Sequence, residues 1–170
     1  MKGWEWQTKF LEQFYKNPSG IWVVDGPSRR VGKTYTLVQI LKVVPDSVIC
    51  TMSHRKKYEI MDRYDLKNEQ VVALTQWENR VKSAKLILID DYQWMPTETN
   101  PGRRGSMQIL SILKEFQNVV FMGTTEDSDY CKEKIKEIHE IGVHFFKIPE
   151  LVREEKDWVP KLELIYKESE

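Results

Sequence analysis

Apolar residues along the chain form short continuous runs that alternate with segments of helical period. Runs of this kind, rich in Val, Ile and Leu, are typical of strands buried in a parallel sheet; they occur at 21–24, 48–52, 69–74, 85–91, 118–122 and 143–148. Apolar residues recurring every three or four positions predict helices at 4–15, 34–43, 75–81, 106–116 and 127–142. The alternation predicts an α/β fold, a three-layer sandwich in which helices cover both faces of a mainly parallel sheet of about five or six strands.

Length and charge limit the class of protein. The chain has 170 residues, which suits one domain over 1–170, with a helix inside 1–20 and a rudimentary charged extension over 149–170. Its 26 basic and 26 acidic residues balance, which disfavours a protein that coats DNA without sequence preference. The N-terminus has no apolar leader, and no run approaches the roughly 18 apolar residues of a membrane helix. We expect a cytoplasmic protein without a membrane partner, in the host cytoplasm if it is viral, whose two cysteines are reduced and buried.

The segment after the first strand has the pattern of a phosphate-binding loop, or P-loop. The sequence IWVVDGPSRRVGKT enters the loop from an apolar run and leaves it into helix-forming sequence. In such loops, backbone N–H groups and the helix N-terminus bind polyphosphate. Compared with G-x-x-x-x-G-K-[ST], Pro27 stands where the first glycine belongs. The residues expected to bind nucleotide are Pro27, Ser28, Arg29, Arg30, Val31, Gly32, Lys33, Thr34 and Tyr35.

Two of these residues and two acids further along the chain predict a specific chemistry. Lys33 would reach the β- and γ-phosphates of ATP, and the Thr34 hydroxyl would ligate Mg²⁺. The stretch KLILIDD ends a buried strand in Asp90 and Asp91. Asp90 would hold the metal through its water shell, and Asp91 would polarise the water that attacks the γ-phosphate.

Three further polar side chains each have two interpretations. The amide of Gln7 would pair with adenine, or the aromatic helix that carries it packs on the sheet. Thr124 and Thr125 follow a strand, where their hydroxyls would sense the γ-phosphate and couple it to motion, or cap the next helix.

Basic residues occur at two candidate contact sites. The first comprises Arg55, Lys56 and Lys57, which follow a strand beside an aromatic residue. These residues would either contact the DNA backbone or form a solvated helix start. Arg103 and Arg104 lie in the segment 92–105, whose Pro and Gly residues predict an exposed, mobile loop. They would act as an arginine finger on a neighbouring subunit, contact DNA, or form a solvated basic pair.

The order of the strands resembles the RecA-like, additional-strand class of P-loop ATPases. More narrowly, the loop SRRVGKT is similar to that of large terminase subunits, the viral DNA-packaging motors, which often lack the first glycine and carry an early arginine. This resemblance implies a Mg²⁺-dependent ATPase that translocates double-stranded DNA as a homo-oligomeric ring, a pentamer in the family, docked on a portal or capsid. It assigns an adenine motif to Trp6-Gln7 and a loop arginine at the γ-phosphate to Arg29. It assigns the Walker B acids to Asp90-Asp91 and the coupling motif to Gly123-Thr124-Thr125.

The chain departs from terminases in ways that keep other functions open. Terminases usually carry Asp-Glu at the position where this chain has Asp90-Asp91. Their nuclease domain also has no counterpart in the 170 residues. The GP, GK and DDYQW motifs also resemble RecA-like thymidine kinases, although the paired CxxC zinc motifs of that family are absent. A helicase-like domain and a noncatalytic nucleotide-binding adaptor are further alternatives.

Overall fold

Helices and strands alternate along the chain, and to the helices that the hydrophobic pattern predicts the structure adds one at 54–64, where the sequence offered a helix start as one of two interpretations. A computed structural model describes residues 3–27, 30–74, 81, 83–95, 109–124, 135 and 143–155. The helices in these residues are α1 (Glu5–Lys16), α2 (Lys33–Val43), α3 (His54–Tyr64) and α4 (Ile109–Glu115). The strands are β1 (Gly3–Trp4), β2 (Ile21–Gly26), β3 (Ser47–Thr51), β4 (Val71–Ala73), β5 (Leu86–Asp90), β6 (Val119–Thr124), β7 (Val143–Lys147) and β8 (Glu154–Glu155).

Six strands form one parallel sheet in the order β4-β3-β5-β6-β2-β7. Each neighbouring pair is parallel, as is typical of strands that are connected through helices on the sheet faces. Strand β6 lies between β2, which enters the P-loop, and β5, which ends in the acidic pair. The predicted α/β class and the RecA-like parallel sheet are confirmed.

The core has two layers because side chains alternate across the sheet. Trp22 and Val24 of β2 face a cluster that includes Phe10 of α1, Leu37 of α2 and Ile60 of α3. Their neighbours on β2 face a second cluster, which contains residues of α4. The helices therefore lie on both faces of the sheet, which makes the three layers of the predicted sandwich.

The structure corrects three details of the sequence interpretation. Trp4 is not helical: it lies in β1, which pairs antiparallel with β8 and so joins the first described residues to the last ones. The predicted exposed loop begins instead with a 3₁₀ turn (Tyr92–Trp94), in which Tyr92 is fully buried. The segment 143–148 was predicted as a buried strand, but strand β7 lies at the sheet edge, and Phe145 within it is 51% exposed.

Several predictions fall on residues outside the described part. The helices expected over 75–81 and 127–142 are of this kind, apart from the buried Val81 and Ile135. Cys50 is buried as expected, and its burial, with the nearby charge of Asp90, raises the pKa of the thiol to about 12. Among the described helices, none is both long and apolar enough to cross a membrane.

Candidate functional site

The carboxyl ends of three adjacent strands meet at one edge of the sheet. The register aligns Gly26 of β2 with Thr124 of β6, and Asp90 of β5 with Met122 of β6. Ligands of open α/β sheets bind in the crevice outside these strand ends. This edge therefore brings together the P-loop, the acidic pair and the strand that ends in Thr124.

Gly32 determines how the P-loop enters helix α2. Its φ of 81° lies in the left-handed region that residues with a side chain rarely adopt. A Cβ at this position would also lie 2.5 Å from Gln7 Nε2 and 3.1 Å from Trp4 Cδ1. Glycine is thus required for both conformation and space. The chain consequently places Lys33 at the first position of α2, where free backbone N–H groups favour an anion.

The other described residues of the loop differ in their surroundings. Arg30 is exposed, with a φ of 58°, and its side chain lines the cavity above the loop. Val31 also borders this cavity but is buried, and its carbonyl oxygen accepts a hydrogen bond of 3.0 Å from the Trp6 indole. Pro27 is half-buried. Ser28 and Arg29 lie outside the described residues, so their phosphate contacts remain predictions.

Gln7 fastens helix α1 to the P-loop. Its side chain is fully buried, and Nε2 donates to Gly32 O at 3.0 Å and to Thr36 Oγ1 at 2.9 Å. Its Oε1 accepts a bond of 2.8 Å from Trp4 N. Both amide hydrogens are thereby used within the protein, so bidentate pairing with adenine would require these bonds to break. In this structure Gln7 supports the loop, and adenine recognition by its amide stays a prediction.

The P-loop side chains contact the two neighbouring strand ends directly. Lys33 Nζ donates to Thr124 Oγ1 at 3.1 Å. The Thr34 hydroxyl donates to Asp90, with its oxygen 3.1 Å from Oδ1 and 3.2 Å from Oδ2. Residues predicted from separate motifs therefore form one constellation. Thr125, the second hydroxyl of the coupling motif, lies outside the described residues.

Asp90 is a buried carboxyl with an altered affinity for protons. Its pKa is raised to about 7, chiefly by burial and then by the charge of Asp91, whereas Lys56, the Thr34 hydrogen bond and Lys33 lower it. A bound cation would favour the ionised form in the same way. The Thr34 and Asp90 oxygens are the ligand type that Mg²⁺ prefers, together with phosphate and water oxygens. These two residues thus fit the predicted metal position.

Asp91 begins a turn that two hydrogen bonds hold in place, one of them buried. Asp91 has a φ of 55° and lines the cavity. The next residue, Tyr92, donates from its hydroxyl to Asp25 Oδ2 at 2.9 Å, and Gln93 Oε1 accepts from Thr124 N at 3.2 Å. A Cβ on Gly123 would lie 2.7 Å from Tyr92 Cδ1 and would also contact Gln93. The turn therefore packs tightly against β6, which fixes Asp91 opposite the P-loop.

The Tyr92–Asp25 bond and the positions of Trp4 and Tyr64 at the cavity were not predicted as parts of the site. An acid within the apolar run IWVVDG was the available indication, since a buried carboxylate needs a polar partner. Trp4 and Tyr64 both line the cavity, but neither belongs to a sequence motif of the P-loop. Tyr64 stacks on Tyr35, with ring centroids 5.6 Å apart and planes inclined by 27°. Burial raises the pKa of both tyrosines.

A cavity of about 730 Å³ lies above the P-loop and is open to solvent. Basic side chains of the described residues line it on several sides, namely Arg30, Lys33, Lys56 and Arg63. Asp91 contributes a carboxylate, and Gln93 and Trp94 complete the wall near it. A concave site with converging cations is suited to a polyphosphate ligand.

The three basic residues after β3 do not form the shared DNA contact that the sequence suggested. Arg55 is on the surface, where its side chain is 90% exposed and pairs with Glu59 at 3.3 Å. Lys56 lines the cavity. Lys57 is only 2% exposed, so a DNA contact by Lys57 is wrong: helical rotation of about 100° per residue turns this side chain towards the core.

The arginine-finger assignment has no structural test. Arg103 and Arg104, the candidate arginine fingers, lie outside the described residues. Within the described part of the chain, no cluster of three or more His, Cys, Asp or Glu side chains could hold a metal by itself.

Comparison with known proteins found no protein-family model and no curated protein that matches this chain.

Proposed function

We propose that the chain is a Mg²⁺-dependent P-loop ATPase that resembles the motor domain of viral DNA-packaging terminases. The observation that carries this proposal is the joining of Thr34 to Asp90 and of Lys33 to Thr124 at adjacent strand ends. Residue types expected for phosphate binding, metal binding and nucleotide sensing thereby converge on one basic cavity.

The residues have separate tasks in the proposed hydrolysis. Lys33 would exchange its bond to Thr124 for the β- and γ-phosphates and offset their charge. Thr34 and Asp90 would hold Mg²⁺, which when bound neutralises phosphate charge and orients the phosphate chain. Asp91, on the cavity wall, would accept the proton of the attacking water. The water oxygen forms a bond to the γ-phosphorus as the bond to the leaving ADP oxygen breaks, which gives ADP and inorganic phosphate.

Coupling to double-stranded DNA is proposed from the resemblance of the P-loop to that of terminases. Because Lys57 is buried and Lys56 faces the cavity, Arg55 is the member of the basic triplet that remains accessible for a DNA backbone. The same resemblance proposes a homo-oligomeric ring, a pentamer, in which Arg103 or Arg104 would act on the neighbouring subunit. A portal or capsid protein is the corresponding proposed partner.

A thymidine-kinase-like activity is the second candidate. It is favoured by the position of Gln93 and Trp94, which line the same cavity as Lys33, so that an acceptor nucleoside would lie beside the phosphates. Against it, Gln93 Oε1 already accepts the hydrogen bond from Thr124 N.

Phosphate release from ATP, with and without double-stranded DNA, tests the proposal. We expect Mg²⁺-dependent release that DNA stimulates, and its loss in Lys33→Ala. Lys42→Ala is the matched control, since Lys42 is exposed in the last turn of the same helix. Retained activity in Lys33→Ala contradicts the P-loop assignment. Phosphorylation of thymidine favours the kinase, and tight nucleotide binding without turnover in either assay favours the adaptor.

A further inference from the structure

Helix α3 begins beside the metal-binding end of the cavity. It follows strand β3, which pairs in parallel with β5 so that Cys50 aligns with Ile89, the residue before Asp90. The first turn is fixed by Ser53, whose Oγ accepts a hydrogen bond of 3.1 Å from Lys56 N. The start of α3 is thus held at the same sheet edge as the acidic pair.

Helical rotation then sends three consecutive basic side chains in three directions. Arg55 faces solvent and pairs with Glu59, and Lys57 is buried. Lys56 is half-buried and lines the cavity together with Lys33 and Asp91. Lys56 is therefore a cation at the cavity that comes from the wall formed by α3, whereas Lys33 comes from the P-loop.

We propose that Lys56 binds the terminal phosphate of the nucleotide, within the same chain, as a second cation beside Lys33. This inference rests on the proposed nucleotide site. In support, Lys56 lines the same cavity as Lys33 and Asp91, and it lies on α3, which follows β3, the strand next to β5. Lys33 donates to Thr124, but Lys56 extends from another wall and so would reach other phosphate oxygens.

A cation at this position would stabilise the negative charge that spreads over the γ-phosphate oxygens during transfer. Such preorganised donors are commonly worth about 10²- to 10³-fold in kcat. The resemblance to terminases assigned this task to Arg29 in the loop or to an arginine from a neighbouring subunit. Lys56 would supply a cation in cis, so basal hydrolysis would not depend on a subunit interface.

Binding of a diphosphate and of a nonhydrolysable triphosphate analogue, both with Mg²⁺, distinguishes a terminal-phosphate contact from a general electrostatic effect. We expect Lys56→Gln to weaken triphosphate binding by about tenfold or more, as for loss of a charge-assisted hydrogen bond, and to change diphosphate binding less than about twofold. Lys67→Gln is the matched control because it removes an exposed lysine charge just after the same helix and outside the cavity, and it should change neither affinity. Lys56→Arg keeps the charge and should retain most of the triphosphate preference. Lys56→Met, which keeps the aliphatic stem without the charge, serves as the test if Lys56→Gln does not fold.

Several outcomes would overturn the inference. Equal losses of both affinities in Lys56→Gln would mean that Lys56 contributes only nonspecific electrostatic attraction. Unchanged affinities would mean that Lys56 does not contact the nucleotide. Weaker DNA binding with unaltered nucleotide affinities would assign Lys56 to the DNA contact. A wild-type chain that binds neither nucleotide would refute the proposed function, whereas wild-type binding and turnover with an insensitive Lys56→Gln would refute this inference alone.

Discussion

The Thr34 hydroxyl bridges both carboxylate oxygens of Asp90, at 3.1 and 3.2 Å, and so joins the first turn of α2 to the end of β5. Both groups offer oxygen ligands, and a metal bound here would replace this direct bond. We expect Thr34→Ala to remove the Mg²⁺-dependent part of nucleotide affinity, by about tenfold or more, and to leave binding in EDTA unchanged. Thr34→Ser keeps the hydroxyl and should behave like the wild type. A Thr34→Ala protein with the same affinity gain from Mg²⁺ would place the metal elsewhere.

Asp90 should make the stability of the nucleotide-free protein depend on pH. Its pKa is about 7 in the folded chain, against an ordinary value of 3.8, so between these values the folded state binds more protons than the unfolded state. Stability from this group is therefore complete below about pH 4 and falls as the pH rises towards 7, by on the order of 4 kcal/mol. Urea unfolding at pH 5 and pH 8 measures the larger part of the change, about 2–3 kcal/mol, and Asp90→Asn should reduce it. An identical pH dependence in both proteins would contradict the raised pKa.

Substitution of the buried Gln7 distinguishes support of the P-loop from adenine recognition. If it supports the loop through Gly32 O and Thr36 Oγ1, Gln7→Ala should lower the free energy of unfolding by about 1–3 kcal/mol. It should also weaken ATP and GTP binding by similar factors, because the loop and not the base is affected. Gln13→Ala, an exposed glutamine on the same helix, is the control. A loss confined to ATP would instead support adenine recognition.

The fold and the placement of the candidate phosphate-binding residues were predictable because their determinants are local in sequence. A continuous apolar run specifies a buried strand wherever it lies, and the tripeptide at Gly32 specifies a backbone that presents Lys33 and Thr34 at a helix start. The meeting of Thr34 with Asp90 then follows from parallel strands whose carboxyl ends share one sheet edge.

The remaining features depend on tertiary packing that no local pattern encodes. Lys56 and Lys57 are adjacent and chemically identical, yet one lines the cavity and the other is buried, because the docking of α3 on the sheet sets the helix phase. The bonds from Gln7 to Gly32 and from Tyr92 to Asp25 join residues far apart in the chain. Their polar side chains gave no indication of which partner they would meet.

Asp91 is the described carboxylate that lines the cavity, and it should act in turnover rather than in binding. Its φ of 55° is tolerated by Asp and Asn but is unfavourable for longer side chains, so Asp91→Asn removes the charge while keeping the turn. We expect this change to lower kcat by about 10²- to 10⁴-fold, the usual contribution of a general base, with little effect on nucleotide affinity. Single-turnover phosphate release together with equilibrium binding separates the two quantities. Asp91→Glu restores a carboxylate with longer reach, and it should recover part of the rate despite a strained turn. An unchanged kcat in Asp91→Asn would mean that another group accepts the proton of the attacking water.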